Sequence, residues 1–353
     1  MASFRFITAI ILYKEYEAKL SRKSFYAPGL LRKALVLLQP TSKAWINGDS
    51  SHHRERIHQR ASARDMKQVV ITGVSTGIGY ACVRMLLSRE FRVFGSVRNQ
   101  TDADRLQRDF GERFVPLLFD VTDEKAVQAG AAKVSEHLGR NMLDGLVNNA
   151  GIEITGPLAH LPTDQFQHQL EVNLVGPFIV TKAFLPLLGA DLTRKGKPGR
   201  IVNISSTSAR IAGPFTGAYA ASKFGLEGFS ESLRRELILF GIDVIIIRPG
   251  AVVTPIWQKA EAGVTERFHN TPFAEALAKF ERYSAQEAKS GLAPEVIGEA
   301  VSRAFTVKRP RVRCAIVPKR FVNWTIPQLI PMRILDKLVA QFFGIKTRKH
   351  GSA

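Results

Sequence analysis

Tyr219-Ala-Ala-Ser-Lys223 sets a phenol and an ammonium four residues apart, on one face of any helix that contains them. A phenol ordinarily ionises near pH ~10, and a neighbouring cation favours its charged form. A shift of ~3 units corresponds to about 4 kcal/mol. It would let Tyr219 exchange a proton with an alcohol or a carbonyl near neutral pH. The same spacing also suits a solvated helix face, so the pair needs company. Ser206, thirteen residues earlier, offers a hydroxyl to hold the substrate oxygen. Asn148-Asn-Ala-Gly151 and Asn173 stand further back. Thr72-Gly-Val-Ser-Thr-Gly-Ile-Gly79 has glycines that allow a tight turn and bring a phosphate close to a helix N-terminus. Its spacing of Gly73, Gly77 and Gly79 departs from G-x-G-x-x-G, and a lone glycine triplet can be purely structural.

The elements that must carry these groups alternate from residue 67 onward. Val69–Thr72, Arg92–Ser96, Phe114–Phe119, Leu143–Val147, Arg200–Ile204 and Asp243–Ile247 read as strands. Ile78–Arg89, Asp102–Phe110, Glu124–Leu138 and Ala218–Phe240 have helical spacing. Gln165–Leu188 reads as a long helix that Pro177 and Pro186 should bend or end early. Continuous Val/Ile/Leu strands separated by helices predict an α/β fold: a doubly wound, Rossmann-like parallel sheet with helices on both faces. In such a sheet ligands lie beyond the carboxyl ends of the strands, and the motifs stand just after strands.

Taken together, the glycine turn, Asn148–Gly151, Asn173, Ser206 and the Tyr219/Lys223 pair resemble the classical short-chain dehydrogenase/reductase family, in its hydroxysteroid- and retinol-dehydrogenase-like branch. The resemblance covers roughly residues 67–260 closely. It implies an oxidoreductase that moves a hydride between a nicotinamide dinucleotide and a carbonyl or secondary alcohol of a small apolar molecule, the cofactor owning the hydride chemistry. Tyr219 would be general acid in reduction and general base in oxidation. Lys223 would lower its pKa and bind the nicotinamide ribose. Ser206, ahead of Ser205, would orient and polarise the carbonyl, and Asn173 would hold a water linking Lys223 to solvent. Gly73, Ser75, Thr76, Gly77, Ile78 and Gly79 would cradle the pyrophosphate. Asn148, Ala150 and Gly151 would line the cofactor cleft, Asn148 in part structurally. Asp120, with Val121, would meet the adenine, and Pro249, Gly250, Val253 and Thr254 would seat the carboxamide. Relatives commonly pair through the helices around Asn173 and Tyr219, so a homodimer or tetramer is implied. A non-catalytic dinucleotide-binding sensor or scaffold is the competing reading.

The end of the second strand chooses the dinucleotide. An acid there would bond a ribose 2′-hydroxyl and repel a 2′-phosphate. Here Val97 holds that place and Arg98 follows, a residue able to pair with a 2′-phosphate. NADP is expected, with NAD left open because Thr76 stands where many NADP-using relatives have a second basic residue.

The chain of 353 residues carries a net charge of +19, but the charge is not where the motifs are. Residues 1–66 hold 12 Lys+Arg against 5 Asp+Glu, and residues 308–353 hold 11 against 1, leaving only +2 for residues 67–307. Nucleic-acid binding is therefore not expected of the centre. Residues 1–66 read as a flexible extension, an organellar targeting peptide, or sequence outside the working protein, since Met66 directly precedes the first strand. Residues 67–307 read as the catalytic domain, with a lid over 255–290 bearing Trp257, Phe268, Phe273, Phe280 and Tyr283. These aromatics either cover an apolar substrate or dock the lid. Residues 308–353 are basic, aromatic and amphipathic, suited to a membrane interface or to capping the same domain. A cytoplasmic protein is expected, with peripheral membrane contact through this segment and organellar targeting by residues 1–66 left open. Cys82 and Cys314 make no disulfide framework, and no His/Cys cluster has metal-ligand spacing.

Overall fold

Val69 and Ile71 bury one face of the first strand while Val70 buries the other, as the period of two along a pleated strand requires. Repeated across neighbouring strands, that alternation gives a sheet apolar on both sides. A computed structural model of the protein describes residues 66–256 and 263–347. The expectations placed on residues 1–65, Trp257 and residues 348–353 lie outside the described residues.

In chain order the elements are β1 (Gln68–Ile71), α1 (Gly77–Leu87), β2 (Arg92–Val97), α2 (Gln100–Phe110), β3 (Phe114–Leu118), α3 (Glu124–Leu138) and β4 (Gly145–Asn148). Then come α4 (Thr163–Leu170), α5 (Gly176–Phe184), β5 (Arg200–Ile204), α6 (Gly217–Glu236) and β6 (Asp243–Pro249). After these follow α7 (Val264–Arg267), α8 (Ala274–Ser290), α9 (Pro294–Thr306), β7 (Arg313–Ile316), α10 (Ile326–Leu329) and α11 (Met332–Phe343). The strands form one parallel sheet in the order β3-β2-β1-β4-β5-β6-β7. On one face Cys82, Val83 and Leu86 of α1 pack with Leu106 of α2 and Ile297, Val301 and Phe305 of α9. On the other, Val127 and Val134 of α3 pack with Ile179 and Phe184 of α5 and Leu237 beyond α6. This is the doubly wound α/β architecture. Strand order reverses between β1 and β4, where a ligand crevice belongs.

The region between residues 163 and 190 differs from the helix expected there. A π-type turn at Glu171–Val175 joins α4 to α5, and another at Pro186–Ala190 follows α5. Pro177 lies in the first turn of α5, where its missing N–H costs little, so the chain continues. Beyond residue 307 the sheet also continues. Arg313–Ile316 pairs in register with Ile246–Pro249, so the basic C-terminal segment supplies a strand.

The lid aromatics have a docking role. Phe268 and Phe280 are buried with Phe215, Val264, Leu277 and Phe343 in a separate apolar cluster, with Phe273 and Tyr283 at its margin. Cys82 is fully buried, which pushes its thiol up to about 12.

Candidate active site

The first wall of the crevice is the turn after β1. Gly73 and Gly77 have φ of +68° and +61°, conformations that glycine enters without a Cβ penalty. A Cβ on Gly73 would meet the Ala150 backbone at 2.8 Å, and one on Gly79 would meet the Gly73 carbonyl at 2.2 Å and the Asn149 amide at 2.6 Å. Asn149 Nδ2 donates to the carbonyls of Thr72 at 2.9 Å and Gly73 at 3.0 Å. Thr72 Oγ1 accepts the N–H groups of Asn149 and Ala150, each at 3.0 Å. The bare glycines thus let two loops interlock. Thr76, at the start of α1, is extended and makes no side-chain capping bond, so it does not compete for the first N–H groups of the helix, which are those that bind anions.

Around this turn stand the expected adenosine-side residues. Arg98 follows β2 and is 70% exposed, 4.0 Å from an Asp120 carboxylate oxygen. The other Asp120 oxygen accepts from Thr122 N at 3.0 Å and Oγ1 at 2.8 Å. Val121 is buried, packed where a Cβ on Gly176 would sit. Arg105 of α2 donates to the Ser75 carbonyl at 2.8 Å, a second cation at this corner. Thr254 lies over Gly77, its methyl 3.1 Å from where a Cβ would be. Gly250 N donates to Ile316 O and Val253 N to Leu292 O, both at 2.9 Å, so β7 holds the Pro249-Gly250 corner and Leu292 holds the segment that follows it. These residues fit a dinucleotide carrying an extra phosphate: a glycine cradle, an uncapped helix start and an accessible guanidinium.

The second wall carries the proton chemistry. Ser206 is fully buried and opens a short turn, its Oγ accepting from Ser208 N at 2.9 Å. The buried Tyr219 phenol lies beside Ser206, whose hydroxyl is the one group that pulls its pKa down. One helical turn on, Lys223 Nζ donates to the Ile204 carbonyl at 2.9 Å and lies 5.7 Å from the centre of the Tyr219 ring. The expected lowering of the Tyr219 pKa is not found in the protein alone. Burial and the nearby Glu153 carboxylate raise it, and only Ser206 opposes them. Burial pulls Lys223 down to about 8, against an upward pull from Glu153. A buried phenol that keeps its proton is arranged to donate one.

Two expected residues sit differently. The Asn148 side chain turns into the core, donating to Thr181 Oγ1 at 3.0 Å and Asn203 Oδ1 at 2.8 Å. It points away from the glycine turn, to which its neighbour Asn149 is bonded instead. The Asn173 amide is already engaged: Oδ1 accepts from Ile152 N at 2.9 Å, and Nδ2 donates to Ile152 O at 2.9 Å and Ser222 Oγ at 3.1 Å. Ser222 in turn donates to the Tyr219 carbonyl at 2.7 Å, so Asn173 fixes the tyrosine's helix rather than offering its side chain to a water. Gly151 stays beside both Asn173 Oδ1 and Lys223 Nζ.

Comparison with known proteins agrees with this geometry. A family model described as short chain dehydrogenase matches residues 67–265. The chain is 36% identical over 273 residues to the NADPH-dependent 3-dehydrocapnine reductase of Ornithobacterium rhinotracheale, covering 77% of this chain and 96% of that protein. The chain belongs to the short-chain dehydrogenase family. It is also 44% identical over 189 residues to retinol dehydrogenase 5 of Homo sapiens, spanning 53% of this chain and 57% of that protein. A short-chain dehydrogenase from Streptomyces avermitilis shares the fold with a TM-score of 0.62 at 25% identity, over 80% of this chain and 99% of that one. As a member of this family the protein is an oxidoreductase acting on CH–OH groups of small molecules.

Sequence reasoning missed three contributors to this dehydrogenase site. Arg105 sits in a charged helix where nothing marks it. Asn149 is hidden by its twin Asn148, and only the alternation of side chains at the strand end separates their roles. Glu153 is a lone acid, and its burial (7% exposed) is what gives it meaning. Among the described residues no group of His, Cys, Asp and Glu could hold a metal ion.

Proposed function

We propose that this dehydrogenase is an NADPH-dependent reductase of a ketone or aldehyde carbonyl on an apolar small molecule. The observation that carries the reading is the buried Ser206–Tyr219 hydroxyl pair with Lys223 one turn away. The dinucleotide, when bound, supplies the hydride. Ser206 holds the carbonyl oxygen, and Tyr219 Oη gives that oxygen its proton. Lys223 supplies positive charge beside the phenol and binds the ribose. Pro177 has no N–H to offer the Asn173 carbonyl four residues back. That carbonyl, rather than the side chain, is the group for a relay water. Gly73–Gly79 cradle the pyrophosphate, Asp120 and Val121 border the adenine, and Ala150, Gly151, Pro249, Gly250, Val253 and Thr254 line the cleft.

Preference for NADPH rests on Arg98 and Arg105 at the ribose corner and on the absence of an acid at Val97. The NADPH-dependent relative supports it. An apolar substrate is in keeping with the retinol dehydrogenase similarity. We place the protein as a homo-oligomer of the cytoplasm, associated with membrane surfaces through its C-terminal segment.

Purified protein should oxidise NADPH with a panel of apolar ketones and aldehydes. Tyr219→Phe should lower kcat by roughly 10²–10⁴-fold, the contribution of a positioned proton donor, while NADPH binding measured by fluorescence persists. Normal turnover in that variant would remove Tyr219 from the mechanism.

A further inference from the structure

Ser205, adjacent to Ser206, turns the other way and begins a buried polar chain. Its Oγ donates to Glu227 Oε1 at 2.9 Å. Arg248 donates to the same oxygen through Nε at 2.5 Å and to Oε2 through Nη2. The two side chains are 10% and 14% exposed. Above the guanidinium lies the ring of Trp324, 5.7 Å from centre to cation and itself buried. Trp324 belongs to the C-terminal segment, in a turn that leads into α10. That segment also touches the loop that Ser206 opens, Arg210 Nε donating to Gln328 Oε1 at 3.3 Å.

The placement of this chain is informative. Glu227 stands on α6 one turn after Lys223, and Arg248 is the residue before Pro249 on β6. Ser205 N donates to the Ile247 carbonyl at 2.8 Å. The ion pair therefore joins α6, the end of β5 and the end of β6 at the point where Ser206 leaves the sheet. Buried ion pairs are costly to form and give little net stability, but removing one partner is severe. An aromatic face over the guanidinium keeps water off the pair and adds a cation–π attraction.

We propose that Trp324, Arg248 and Glu227 are positioning residues for Ser206. The C-terminal segment, seated by Trp324, holds the Ser205–Ser206 chain where the reaction needs it. The segment then belongs to the catalytic apparatus as well as to the surface. This rests on the reading of Ser206 as the residue that holds the carbonyl oxygen.

The test uses the full chain with Trp324→Ala, Trp324→Phe and Glu227→Gln, followed by ketone turnover and by hydrogen exchange. Small misplacements of reacting groups cost on the order of 10- to 100-fold. Trp324→Ala and Glu227→Gln should lower kcat by about that factor, with KM for NADPH within about twofold. Amide exchange should rise in the peptide spanning Ser205–Arg210 and stay unchanged in the one spanning Val70–Gly79. Trp324→Phe, which retains an aromatic face, should restore both. Leu329→Ser, a change on an exposed residue of the same segment, should leave both as in the parent. The proposal is overturned if Trp324→Ala leaves kcat and Ser205–Arg210 exchange unaltered. It is equally overturned if exchange rises evenly over the sheet and Trp324→Phe rescues nothing. Should the parent protein reduce no carbonyl at all, the functional reading fails, while the exchange pattern still decides whether Trp324 holds the Ser205 loop.

Discussion

Lys223 carries its charge in a place that resists it. Burial lowers its pKa to about 8, and the Glu153 carboxylate pulls the other way. The backbone on both sides of Glu153 is clamped: Ile152 by Asn173, and Ile154 N by Gln169 Oε1 at 2.7 Å. The acid is thus held in place against the Lys223/Tyr219 pair. If the ammonium is needed beside the phenol, kcat/KM for carbonyl reduction should be level below pH about 8 and fall above it. Glu153→Gln should move that falling limb to lower pH, since an upward pull is removed; an unmoved limb would detach Glu153 from the site. The same shift has a stability consequence. The folded amine binds its proton less tightly than the unfolded one, so from about 8 up to the ordinary lysine value the unfolded chain holds more protons and stability rises with pH. Below about 8 both states are protonated, and the penalty of burying the ammonium is fully present. Lys223→Met should therefore raise Tm relative to the parent at neutral pH and do so least above the ordinary lysine pKa, as thermal unfolding at both ends would show.

At the scale of elements, the β1–turn–α1 unit contrasts with α6. Gly79→Ala would put a methyl 2.2 Å from the Gly73 carbonyl, which nothing but a backbone shift can relieve. Overpacking of this kind typically costs about 1–3 kcal/mol, and here it also spoils the phosphate cradle. The expected result is a lower Tm together with loss of NADPH binding by calorimetry. Gly228→Ala, exposed on α6 with nothing within 4 Å of the new methyl, should instead stabilise by roughly 0.5–1 kcal/mol, the helix preference of Ala over Gly. The cradle and the Tyr219/Lys223 pair were legible in the sequence because each is local: a few residues fix the turn or the helix face. So was the alternation of strands and helices, which follows from apolar runs. The π-type turn at Glu171–Val175 was not, because the sequence marks the proline but not the shifted hydrogen bonds that absorb it. The strand Arg313–Ile316 escaped for a related reason. It is four residues long, begins with an arginine and lies in a run of basic residues, so only its pairing with β6 reveals it. Glu227 and Arg248 stand on separate elements, and no spacing announces that they meet.

For the whole molecule, the C-terminal segment has two faces with opposite demands. Outward, Phe321, Leu329 and Met332 are 54%, 73% and 70% exposed on a stretch whose charge is strongly positive, a combination suited to an anionic membrane interface. No helix among the described residues is long and apolar enough to cross a membrane. Leu329→Ser with Met332→Ser should weaken co-sedimentation with anionic vesicles and leave folding intact. Inward, β7 completes the sheet beside β6, and the fully buried Phe343 packs against Phe280 at 5.8 Å between ring centres, with Tyr283 at 5.9 Å. Ending the chain after residue 307 would leave Ile246–Pro249 as an open strand edge, uncover the lid cluster and strip Trp324 from Arg248. Exposed edges of this kind invite association with other chains, and loss of a large buried aromatic alone costs about 3–5 kcal/mol. Against a marginal stability of about 5–15 kcal/mol, the shortened protein should aggregate or unfold without a cooperative transition. A truncated form that melts like the parent and still reduces carbonyls would show that residues 308–353 are an appendage rather than part of the domain.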